Sequence, residues 1–288
     1  MVPRTLETTH FFRKLRGYSQ SILVQASDNG FYAIKFLQNS QSPKLLFNES
    51  MGCELYKECG LPVPTWAPIH FTESFLDHNP QCWPTIDSRP LRPEPGLHFG
   101  SKFVGMNSRN AFDILPGAYF TRIVNRLDFW LAWIVDCCAS HSDSRQAVFV
   151  ETDADQFHAT FIDFGYMFSE PKRALAPLSY GNRYLDWRVY SSLKAAGLKN
   201  LSMAARSLNN QRIWRNASSL PDEWKSVSAL RGLSYALHNL GSARYVEDLI
   251  DCLIQTIASK TKLVEDGACD GKKHPDYTPR AGVSAQVA

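Results

Sequence analysis

No two of the seven cysteines in this chain of 288 residues are spaced Cys-x-x-Cys. No Cys/His set has the separations of a zinc site either. An odd cysteine count, with Cys137-Cys138 adjacent inside an apolar run where a local bridge would be strained, points to reduced thiols and a cytoplasmic setting. Long apolar runs are missing too. The longest, "FWLAWIVDCCA" from Phe129 to Ala139, is broken by Asp136 and is too short to span a bilayer. The opening "MVPRTLETTHFFRKLRG" lacks the apolar core of a secretory signal. A net charge of +3 is far from the clustered basic face that nucleic-acid binding requires. No internal repeat is visible. What remains is a chain with 44% hydrophobic residues, enough for a full core in one large domain or two modest lobes.

Two strands around a turn open the organised part: "SILVQAS", the hairpin signal "DNG" at Asp28 to Gly30, and "FYAIKFL". Helical spacing follows from Lys44 to Glu58, with Leu45, Leu46, Met51, Leu55 and Tyr56 available for one face and Gly60 as its stop. Residues 63 to 105 read as short strands and loops, with a proline-rich excursion between 80 and 95 and "LHFGSKFVG" as a connector. Tyr119 to Ala139 reads as one buried helix whose tryptophans, Trp130 and Trp133, belong to the core. A second hairpin, "RQAVFVE" and "FHATFIDF", turns at "TDAD". Beyond Asp186, helices are expected near 185–196, 201–216, 221–238 and 244–261, and a polar, disordered tail over 266–288. The layout is α+β: a small β-rich lobe with hinge over 1–105, then a larger helical lobe over 106–265 with one embedded hairpin.

Along that layout lie residues whose order matters more than any one of them. Lys35 sits on the return strand of the first hairpin, and Glu49 follows on the first long helix, where an acid would keep the lysine from wandering through its rotamers. Glu54, on the same helix, is its competitor. Upstream, Gly17, Ser19, Gln20 and Ser21 form a short turn rich in donors suited to a phosphate. Asp143 leaves the buried helix in a loop, followed by Arg145, which can pair with a phosphate or with Asp143, and Gln146, whose amide oxygen can bind a cation. His141 is read as loop structure. Asp163 ends the strand "ATFI" in "DFG", where Gly165 permits a sharp turn. Strand lysine, helix acid, loop acid and strand-end acid, in that order, are the parts of a phosphoryl-transfer site. Lys35 would clamp phosphates beneath the Gly17 loop, Asp163 with Gln146 would hold magnesium, and Asp143 would align the accepting hydroxyl.

The stretches "RGYSQSILV", "FYAIKF", "FNESMGCELYKECGLPVP", "GLHFGS", "SDSRQAVFV" and "FIDFGYMF" together resemble the HipA-like kinases, in particular the compact bacterial subgroup without the toxin's amino-terminal module. The resemblance implies a bilobal protein-kinase-like fold, ATP with Mg2+, and Asp143 and Asp163 as catalytic and metal-binding acids. It departs at Val148, where the toxin type carries asparagine, and at His141, where the subgroup often shows asparagine. The expected activity is transfer of the γ-phosphoryl group of ATP to a hydroxyl. A protein serine or threonine is the preferred acceptor, a small-molecule alcohol is the alternative, and a pseudokinase without turnover is the rival. No membrane or antitoxin partner is implied.

Overall fold

The computed structural model describes residues 3–265 apart from 18, 40, 106–109, 153–154, 170–182 and 192–194. The expected tail over 266–288 and the tip of the "TDAD" turn lie outside the described residues.

The first lobe is a closed barrel of five strands: β1 (Leu6–Lys14), β2 (Ile22–Ala26), β3 (Phe31–Lys35), β4 (Trp66–Phe71) and, after the excursion, β7 (Gly96–Lys102). Their order around the barrel is β1-β2-β3-β7-β4, and a short parallel pairing of β1 with β4 closes it. The β2-β3 hairpin turns where its sequence predicts. Asn29 takes φ +62°, and the Asp28 carboxylate accepts from the Gly30 N–H at 2.8 Å and from the Tyr32 hydroxyl at 2.8 Å. Inside, Ile22, Val24, Ile34, Ile69 and Phe71 form the barrel's own core. The short helix α2 (Glu73–His78) precedes the proline-rich excursion, which holds a ribbon of β5 (Thr85–Ile86) and β6 (Arg89–Pro90).

Strand β1 falls in the short entry ahead of the first expected strand, where no element was expected. Its side chains are largely exposed, so it lacks the apolar alternation that marks a strand, and its ladder to β2 holds it instead.

Helix α1 (Leu45–Glu58) matches its expected span. Its end is set by Gly60 at φ +77°, with the Leu61 N–H returning to the Tyr56 carbonyl at 2.9 Å. Its environment differs from the one-faced expectation, since every residue from Leu45 to Tyr56 is buried. The helix lies in the larger apolar core, shared with the second lobe, rather than in the barrel's core.

The second lobe holds a three-stranded sheet, β8 (Ala111–Phe112), β9 (Gln146–Glu151) and β10 (Phe157–Ile162), and the helices α3 (Asp128–Cys138), α4 (Ala195–Arg206), α5 (Asn210–Ser218), α6 (Val227–Gly241) and α7 (Ala243–Glu265). The single helix expected over Tyr119–Ala139 is instead a 3-10 turn, Gly117–Arg122, and then α3. Asn125 makes the break: its amide exchanges two hydrogen bonds with the Ala159 backbone in β10 and donates to Asp128 at the start of α3. Of the helix expected near 185–196, residues Trp187–Tyr190 form a 3-10 turn while 192–194 lie outside the described residues, and the one expected over 201–216 is split between α4 and α5.

Candidate active site

Lys35 ends β3 with its side chain turned inward, 9% exposed. Its ammonium donates to Glu49 Oε1 on α1 and, at 2.8 Å, to Asp163 Oδ1 from the second lobe. Burial alone would pull the lysine pKa down, but the two carboxylates outweigh it and hold the ammonium above its ordinary value. Burial likewise pushes Asp163 up, yet Lys35, with help from Arg145, holds its carboxyl well below the usual carboxylate range. Glu49 is raised, because it is fully buried and must share Lys35 with Asp163. The net picture is a charged lysine holding an ionised Asp163.

Asp163 follows the last residue of β10 at φ +64°, a left-handed conformation in which aspartate is among the better tolerated residues. That turn lifts its side chain off the hairpin, while Phe164 and Gly165 run beneath α1. The Phe164 N–H donates to Glu49 Oε1 at 3.1 Å, and Asn48 Nδ2 donates to the Gly165 carbonyl at 2.7 Å. A Cβ at 165 would sit 2.4 Å from Leu45 Cδ1, so that side chain would have to move aside to admit one. Glu49, rather than Glu54, is thus the lysine's partner. Glu54 accepts from Trp66 Nε1 at 3.0 Å and from Asn216 Nδ2 at 2.6 Å, joining the barrel, α1 and α5.

Asp143 leaves α3 in the following loop, its Oδ1 accepting the Ser144 N–H at 2.7 Å. Asp143 and Asp163 line one cleft of about 510 Å³. Gly17, Ser19 and Arg16 from the β1-β2 loop and Gln41 ahead of α1 face them, with Ser142, Gln146 and Tyr166 completing the wall. The cleft therefore lies between the lobes. Gln146 pairs with Ile162 in the β9-β10 ladder, and its Nε2 donates to Asp163 Oδ2 at 3.2 Å. Val148, on the same strand face two residues on, is buried opposite Thr160 and has no oxygen to offer a cation, whereas Gln146 has one.

Three expected site residues face elsewhere. Arg145, expected on a phosphate or on Asp143, is 2% exposed and forked onto Asp136, at 2.9 and 3.1 Å. Its remaining donors take the carbonyls of Ile162 and Asp163, at 2.7 and 3.1 Å, and its guanidinium stacks over Tyr56 and Phe164. It positions the strand end that carries Asp163 and does not reach the cleft. Gln20, at φ +47°, turns its amide to β5, donating to the Thr85 carbonyl at 2.5 Å and accepting its N–H at 2.6 Å. Ser21 is buried, its hydroxyl shared with Ser19 at 2.9 Å. His141 is buried and does not line the cleft; it accepts at Nε2 from Arg145, and burial with that cation lowers its pKa to about 4. Asp136, Arg16, Gln41 and Tyr166 were not expected at the site. Asp136 had a signal, as the one acid interrupting an apolar run.

No protein-family model matches the chain. No curated protein matches it. Among solved structures, a proinflammatory kinase of Helicobacter pylori, CtkA, superimposes with a TM-score of 0.56 at 10% identity, over 87% of this chain and 99% of that one. The Golgi casein kinase with Mn and ADP bound gives 0.50 at 10% identity, over 86% of this chain and 73% of its own. The fold is protein-kinase-like. Likeness at this identity speaks for architecture, and the chemistry rests on the side chains described above.

Proposed function

We propose that the chain is a phosphotransferase of HipA-like type, moving the γ-phosphoryl group of ATP to a hydroxyl, with a protein serine or threonine as the preferred acceptor. Residues 1–105 serve as the nucleotide-binding lobe and hinge, and 106–265 as the catalytic lobe. One observation carries the reading. Lys35 of the first lobe bonds Glu49 and Asp163 at once, and Asp163 shares an interlobe cleft with Asp143.

The cleft's volume, about 510 Å³, lies within the usual span of small-molecule sites, roughly 300–1,000 Å³. The donor set fits magnesium: Asp163 offers an ionised carboxylate, and the Gln146 amide oxygen would join it once its Nε2 leaves Asp163 Oδ2, with phosphate oxygens and water left to fill the shell. Among the described residues no cluster of three or more His, Cys, Asp or Glu offers a metal cage of its own. When bound, magnesium would neutralise charge on the phosphate oxygens. The neighbour with Mn and ADP supports a nucleotide and a divalent cation in this fold.

The chain's own residues then have separate tasks. Lys35, held on Glu49, offers its ammonium to phosphate oxygens as it loosens from Asp163. Asp143 orients the acceptor hydroxyl and takes its proton as the acceptor oxygen bonds to the γ-phosphorus. The bond from that phosphorus to the β-γ bridging oxygen breaks, and ADP leaves. Arg145 keeps the Ile162–Asp163 backbone in place throughout.

Buried Val148, where the resemblance places a second ligand, favours one rival: a nucleotide-binding module without turnover. Single-turnover labelling with γ-labelled ATP and Mg2+, on wild type and Asp163→Ala, separates the two. Label appearing on a protein or small molecule with wild type alone supports the transferase. Wild type that binds ATP yet labels nothing, itself included, leaves only the binding module. Lys35→Ala is expected to lose ATP-dependent thermal stabilisation.

A further inference from the structure

The loop between β1 and β2 carries a cation that the proposed reaction has not used. Arg16 precedes Gly17, is exposed, and lines the cleft shared by Asp143 and Asp163. It has no hydrogen-bond or ion-pair partner among the described residues. The loop that presents it is closed at its base by the Leu15 N–H donating to the Ser21 carbonyl at 2.7 Å. Across its tip the Gln20 N–H donates to the Gly17 carbonyl at 3.2 Å, and Gly17 sits at φ +131°, which a residue with a Cβ rarely adopts.

The other polar side chains of this loop among the described residues are committed. Gln20 clasps Thr85, and the Ser19 and Ser21 hydroxyls hold each other. Deeper in, Lys35 is divided between Glu49 and Asp163. Among the described residues that line the cleft, Arg16 is the one cation, set against two carboxylates. A polyphosphate entering there adds several negative charges beside those acids. A guanidinium fork matches phosphate oxygens in pairs, and one with no partner to leave gives up nothing on binding.

We infer that Arg16 grips the terminal phosphate of a nucleoside triphosphate and so sets a preference for triphosphate over diphosphate. The choice of phosphate follows from position, and it rests on the proposed function. Arg16 faces the same space as Asp143, where the new bond to the terminal phosphorus forms, whereas Lys35 lies behind Asp163 and is left for inner phosphates. An exposed arginine is screened by salt, so the preference falls as ionic strength rises.

Calorimetric titration of the full chain with MgATP and MgADP, at fixed low ionic strength, tests this on wild type, Arg16→Ala and Arg16→Lys. Arg16→Ala should weaken ATP about ten-fold and ADP less than about three-fold, with Arg16→Lys between. Because Arg16 is exposed and has no partner among the described residues, the melting temperature without nucleotide should stay at the wild-type value. Equal weakening of ATP and ADP overturns the assignment to the terminal phosphate. Unchanged ATP affinity with a raised KM for the acceptor assigns Arg16 to the acceptor and overturns it too. Wild type that binds neither nucleotide overturns this inference together with the proposed function, whereas unchanged binding in Arg16→Ala overturns this inference alone.

Discussion

His98 and His141 are both buried, and in both burial is the main cause that lowers the imidazole pKa to about 4. His98 accepts the Leu37 N–H at Nδ1, at 3.0 Å, so its proton resides on Nε2 and faces the Glu94 carbonyl. As pH falls through about 6.5 the unfolded chain takes up protons that the folded chain refuses, so stability declines and levels off only below about 4. Each histidine then removes roughly 3 kcal/mol across that window. Urea unfolding of His98→Gln, compared with wild type between pH 7 and pH 4, should show a slope smaller by about one proton. Parallel curves would mean His98 is not the titrating group. At this scale the sequence spoke clearly for Lys35, Glu49 and Asp163, because a strand lysine, a helix acid and a strand-end acid have a meaning in order. It misled for Arg145 and Gln20. Their partners, Asp136 and Thr85, are fixed by the course of the backbone, which residue type does not reveal.

Helix α1 shows what a single element can decide. Its Gly52 lies against the segment that follows Asp163. A Cβ there would come 2.4 Å from Phe164 Cβ and 2.8 Å from Met167 Sδ. Alanine would gain helix propensity worth up to about 1 kcal/mol, but overpacking costs about 1–3 kcal/mol and the Phe164 ring is pinned under Arg145. Overpacking should win. Gly52→Ala is expected to lose about 1–2 kcal/mol in chemical denaturation and to slow single-turnover transfer, because Phe164 cannot move without Asp163. A variant as stable and active as wild type would show that the contact is slack. The span of α1 was legible from its spacing and from Gly60. Its burial on all sides was not, since only Leu45, Leu46, Met51, Leu55 and Tyr56 marked a face, while Asn48, Glu49, Ser50 and Glu54 are buried through hydrogen bonds within the protein. Strand β1 was hidden for the opposite reason: a strand held by its ladder leaves little apolar mark.

Across the whole molecule the apolar interior is divided in two, one part inside the barrel and one running from α1 through the second lobe. The covalent division into β-rich and helical halves was readable along the chain, yet the energetic one is drawn elsewhere, with α1 on the far side. Native-state hydrogen exchange should therefore group the α1 amides with α3 and α6, and the β2 and β3 amides in a separate set. Exchange of α1 together with β2 and β3 would contradict a divided interior.

The return of β1 to β4 also governs what can approach the small lobe. A sheet bent round until its first and fourth strands meet, at Leu6–Ile69 and Glu7–His70, leaves fewer open rungs of backbone than a flat sheet would. Strand addition by an extended peptide is therefore disfavoured on the barrel, and a protein that docks there is expected to read its side chains.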